Sequence, residues 1–159
     1  MPGRYAVVAA RIRQELERLD QIVRRAERAV SATRQSAEHR DLFLDSAALS
    51  LHDFYAGLER IFRQIAADVD LSIPSGRDWQ PELLRQMSVD VRGTRPKVLS
   101  AGTEKSVDEF LVFSYVVQNS RALNLDAERV ELLVQRLRPA FRDVRSELLA
   151  FADFLDRVE

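Results

Sequence analysis

A run of apolar residues spaced alternately four and three apart constrains this chain more than any other feature. Ile12, Leu16, Leu19, Val23, Ala26, Val30, Thr33 and Ala37 keep that spacing without a break. The pattern puts every member on one side of an α-helix, as a seam that another helix must cover. It predicts a helix over about residues 3–37. Leu44, Ala48, Leu51, Tyr55, Leu58, Phe62, Ile65 and Val69 repeat the rule, which predicts a second helix over about residues 40–70. Phe54 and Ile61 widen its stripe, as a helix buried in a bundle requires. Ala26, Ala48 and Gly57 are small enough to let two backbones come close.

Ser72, Pro74, Ser75 and Gly76 then stop the second helix. Asp78 is placed to cap a short helix from about Trp79 to Met87, with Pro81 in the first turn, where its missing N–H costs nothing. Residues 88–104 form one long irregular segment, broken by Arg92-Gly93 and Arg95-Pro96. A third long helix is expected from about Glu104 to Ala122. Asp126 would cap the last one, which carries Val130, Leu133, Val134, Leu137, Phe141, Val144, Leu148, Phe151 and Leu155. Pro139 should kink or interrupt it near Leu137. The expected fold is all-α, an antiparallel bundle of four long helices with a short fifth in a crossover. Residues 1–159 read as one domain.

Composition narrows the function classes. A net charge of −1 gives no overall field toward nucleic acid or an anionic membrane. The absence of cysteine excludes a disulfide framework, thiolate metal sites and a Cys nucleophile. The apolar run near the N-terminus is too short for a signal segment or a membrane span, so a cytoplasmic protein is expected. Neither His39 nor His52 has a partner at metal-ligand spacing, and His52 reads as structural. No phosphate-binding glycine loop and no nucleophile elbow is present, and no cofactor is expected. Arg85, Arg92, Arg95, Lys97 and Lys105 surround the irregular segment and could hold a phosphate backbone. The alternating charges of RIRQELERLDQIVRRAER suggest i,i+4 pairs on a wet face of the first helix.

The segment FLVFSYVVQNSRALNLD, from Phe110, mixes core and chemistry. Helical spacing puts Phe110, Phe113, Val116, Val117, Ser120 and Leu123 on one broad face, expected to be core. Ser114, Gln118 and Arg121 fall at i, i+4 and i+7 as a polar stripe, flanked by Leu111 and Tyr115. Apolar and polar groups mixed in this way suggest an interface, so Leu111, Ser114, Tyr115 and Gln118 are candidates for a dimer face.

Four stretches taken in order carry a family resemblance: LHDFYAGLERIFRQIAADVD, IPSGRDWQPELLRQM, FLVFSYVVQNSRALNLD and ELLAFADFL. Together they resemble the HepT-like branch of the HEPN superfamily. The resemblance implies a helical bundle that dimerises. It also implies a metal-independent endoribonuclease toxin, paired with a small nucleotidyltransferase antitoxin that can silence it by adenylylating a motif tyrosine. Members of the branch are expected to carry Phe-Arg-His-x-x-Arg-Asn-x-Tyr on the third long helix.

Here the same positions read Phe113-Ser114-Tyr115-Val116-Val117-Gln118-Asn119-Ser120-Arg121. Phe113 and Asn119 match. Ser114 stands for an Arg, Tyr115 for the His, Gln118 for the second Arg, and Arg121 for the Tyr. Metal-free RNA cleavage needs a base for the 2′-hydroxyl proton and a cation for the charged transition state. A histidine near pKa 6.5 suits the first task, whereas a tyrosine near 10 stays protonated. Loss of a general base alone costs about 10² to 10⁴ in rate. The expectation is a homodimer with a degenerate site that binds protein or RNA. The alternatives are a nuclease that still works with an altered residue set and a structural scaffold. Arg92, Arg95, Lys97, Lys105 and Arg121 are the cations available for RNA.

Overall fold

The computed structural model describes residues 3–119 and 125–159. Helix α1 spans Arg4–Gln35, α2 Arg40–Ile65, α3 Trp79–Met87, α4 Ala101–Asn119 and α5 Ala127–Arg157. The structure is all-α, with four long helices and a short one in the crossover, as the apolar spacing predicts. Cross-helix partners fix the directions. Arg25 meets Asp53 while Arg60 meets Glu15, so α1 and α2 run antiparallel. Arg13 meets Asp153 and Asp156 while Arg138 meets Glu27, so α1 and α5 do too. Phe54 packs edge-on against Phe110, and Glu109 pairs with Arg136, which place α4 against α2 and α5. The ring order is therefore α1–α2–α4–α5, with α2 and α5 meeting across the diagonal, where Phe54 also touches Phe141.

Both heptad seams are buried as their spacing demands. From Ile12 to Thr33 every seam residue of α1 is covered, while Ala37 lies beyond the helix and is exposed. Leu44 is half-buried and the rest of the α2 seam is buried. A Cβ on Gly57 would sit 2.5 Å from Leu19 Cδ2, so the close approach expected there is real. The charges of α1 behave differently from expectation. Only Asp20–Arg24 is an i,i+4 pair within the helix, and the other pairs of this stretch reach across to α2 or α5. The cause is the ring itself, because α1 has neighbours on two sides and its flanking charges meet theirs.

Two ends differ in detail from the expected ones. Helix α2 closes in a π-helical turn, Ala66–Asp70, with Leu71 in the left-handed region at φ 56°. Helix α4 starts three residues before Glu104. Ser100 Oγ accepts the Thr103 N–H, and Glu147 of α5 takes the Ser100 N–H and the Thr103 hydroxyl. Ser100 is thus a local N-cap, and the α5 carboxylate supplies the reciprocal acceptor that the local sequence lacks. Asp126 caps α5 as expected, accepting from Glu128 N at 3.0 Å. Pro139 lies inside α5, which continues through it as one helix and does not divide.

Candidate functional site

The motif helix α4 does not place its residues as its sequence suggests. Ser114 is 2% exposed and lies in the core, and so is Leu111 at 1%. Both are corrected as dimer-face candidates, since they belong to the buried side of α4 with Thr103, Val107, Phe110 and Phe113. Val116, expected in the core, is 38% exposed, and Val112 one turn earlier is 44% exposed. The true core face is thus rotated from the one that the aromatic spacing implied. The reason is that α4 is covered on two sides, by α2 and α5, and only contact decides which residues fill that angle. Phe110 and Phe113 are buried as expected and Val117 is half-buried. Ser120, Arg121 and Leu123 lie outside the described residues.

Ser114 Oγ stands 2.7 Å from Nδ1 of His52 on α2. The position where the resemblance leads one to expect a cation carries a neutral hydroxyl, tied inside the bundle. His52 is half-buried and is one residue the sequence did not assign to the site. Nothing in the sequence signals the pair, whose members are 62 positions apart.

Tyr115 is half-buried, and its phenol pKa is raised above the ordinary value. Burial is the main cause, followed by the negative charges of Glu59, Asp78 and Asp108. A base is wanted where the phenol is held more firmly protonated than a free tyrosine. Those carboxylates also make a poor setting for a phosphate chain. Tyr55, one turn before Glu59, has its hydroxyl buried with no hydrogen-bond partner in good geometry. Burial and then Glu59 push its pKa upward as well. Gln118 is exposed, and Asn119 donates to the Tyr115 carbonyl at 2.8 Å.

The basic loop also separates on inspection. Arg95 is 4% exposed and is corrected as an RNA-binding candidate. Its Nε and Nη2 grip Asp70 at 2.6 and 2.8 Å, and the carbonyls of Val89, Pro96 and Gln86 take its remaining donors. A Val91–Arg95 bridge, turned by Gly93 at φ 77°, brings it into position. Arg92 and Lys97 are exposed on this loop. Lys105 lines a separate cleft between α3 and α4 with Arg85, and Glu104 and Asp108 stand beside them.

Four long helices and a short crossover helix define the class as an all-α bundle. A family model described as HepT-like protein matches residues 46–155, well over half the chain. The chain belongs to the HepT-like family. The match takes in α3, α4, most of α2 and nearly all of α5, and leaves α1 outside. No curated protein and no solved structure gives a significant match. No described helix is long and apolar enough to cross a membrane.

Proposed function

We propose that this chain is a HepT-like protein of a toxin–antitoxin type system that has kept the bundle and lost the nuclease. It acts by binding, as a cytoplasmic homodimer. The observation that carries the reading is the burial of Ser114 against His52. The side chain that should reach the scissile phosphate is neutral and turned inward. Tyr115 beside it is a protonated phenol among carboxylates, so the described motif positions Ser114, Tyr115 and Gln118 supply neither a base nor a cation.

The dimer reading now rests on different residues. Val112 and Val116 on α4 and Leu42 and Leu49 on α2 are the large apolar side chains these two helices expose. Tyr115 and Gln118 adjoin them on α4, giving the mixture of apolar and polar groups found at subunit contacts.

His52 favours a second reading. An imidazole beside the motif helix, brought from α2, could act as base in an active endoribonuclease neutralised by a nucleotidyltransferase. One experiment separates the two: incubation of purified protein with RNA, beside His52→Ala and Arg121→Ala variants. The first reading expects no cleavage by any of them. Cleavage abolished by His52→Ala would establish the second and overturn the first.

A further inference from the structure

We propose that Ser114 locks His52 in the tautomer that carries its proton on Nε2, so that the ring turns a hydrogen-bond donor to solvent and not a base. Ser114 is thus a positioning residue for His52. This goes beyond both readings above, because it fixes the chemical form of the imidazole independently of whether RNA is cut.

One hydroxyl proton decides that form. Ser114 Oγ and His52 Nδ1 stand 2.7 Å apart, so one of them donates and the other accepts. With the ring proton on Nδ1, the Ser114 hydroxyl would need another acceptor. A helical serine ordinarily finds one in the carbonyl four residues back. Ser50 donates to the Ser46 carbonyl at 2.9 Å, Ser88 to that of Leu84 at 3.3 Å and Ser106 to that of Gly102 at 3.1 Å. Ser114 makes no such bond to Phe110 among the described residues, and His52 is its one side-chain partner there. Bulk water offers no substitute, since Ser114 is 2% exposed. A buried hydroxyl without an acceptor is costly, and donation to Nδ1 avoids that cost. A neutral imidazole that accepts at Nδ1 holds its proton on Nε2.

The far side of the ring is open. His52 is half-buried. Its Nε2 meets no hydrogen-bond partner among the described residues and is not cut off from solvent. An N–H there can donate to an acceptor on a bound partner, such as a backbone carbonyl. It cannot take a proton from a 2′-hydroxyl, because that task needs an outward lone pair.

The test is long-range proton–nitrogen correlation NMR of isotope-labelled protein at about pH 8.5, well above the ordinary histidine pKa of about 6.5. The two ring nitrogens then report which of them is protonated. A spectrum of His52→Gln separates the signals of His39, the other histidine of the chain. The wild type should show the Nε2–H form as dominant. A free imidazole leans the same way, so Ser114→Ala supplies the comparison. In that variant the share of the Nδ1–H form should rise several-fold, and the two nitrogen shifts should move toward each other. Ser114→Thr keeps the hydroxyl and should keep the wild-type shifts. Dominance of the Nδ1–H form in the wild type would overturn the lock, and no variant has to fold for that result to be read. Identical shifts in the wild type and a folded Ser114→Ala would overturn it too, because the ring would then owe its form to something else. RNA cleavage is scored separately, so failure of the lock leaves the loss-of-nuclease reading to its own experiment.

Discussion

A guanidinium with no exposure must find an acceptor for nearly every N–H, and Arg95 does so in Asp70 and three carbonyls. From the sequence it was one more cation in a basic loop. Folding turned it into the clasp that holds that loop to the end of α2. Arg95→Ala leaves Asp70 buried without its partner and should cost about 3–5 kcal/mol, read from urea unfolding. Tyr55 presents the reverse case. Its buried hydroxyl meets no partner in good hydrogen-bond geometry among the described residues, with Glu59 the nearest acceptor by charge, so Tyr55→Phe should cost nothing and stabilise the protein by up to about 1 kcal/mol. His52 and Ser114 meet only because two helices cross there, and no spacing rule joins residues so far apart in the chain.

Helix positions were largely legible because apolar period and end signals are local. Trp79–Met87 has the expected bounds, and Asp126 caps as predicted. Asp126→Ala should cost about 1 kcal/mol, checked by the same unfolding curves. What Pro139 would do was not legible. A proline inside a helix removes one hydrogen bond and crowds the preceding turn, yet α5 continues through it. Leu137, Ala140 and Phe141 on either side are buried in the bundle, and that burial holds the helix together. Replacing Pro139 with Ala should therefore raise the unfolding free energy by about 1–3 kcal/mol. No change or a loss would show that the proline is relaxed where it stands. The early start of α4 has a local signal in Ser100, and only the reinforcement of that cap by Glu147 comes from another helix.

At the scale of the molecule, two phenols set the alkaline limit. Tyr55 and Tyr115 both have folded pKa values raised above the ordinary value, chiefly by burial. The folded state holds these protons more tightly than the unfolded one. Their contribution is present in full below about pH 10 and is lost as pH rises through the folded values. Thermal unfolding midpoints should hold steady up to about pH 9.5 and fall above pH 10, less steeply in Tyr55→Phe. A dimer built on Val112 and Val116 should dissociate in Val112→Asp/Val116→Asp, seen by light scattering as a halved mass with unchanged helical content. A wild-type protein that is already monomeric would remove that face from consideration.

The sequence by itself determined the helices, their seams, the short crossover element and the family, because all of these follow from local spacing and from motifs in order along the chain. It also placed Ser114, Tyr115, Gln118 and Arg121 where the family resemblance leads one to expect Arg, His, Arg and Tyr. Only the tertiary structure decided which way α4 turns, and with it that Ser114 lies inside against His52 while Val112 and Val116 lie outside. A helix states its own period. Its rotation is set by the surfaces packed against it, and those come from α2 and α5.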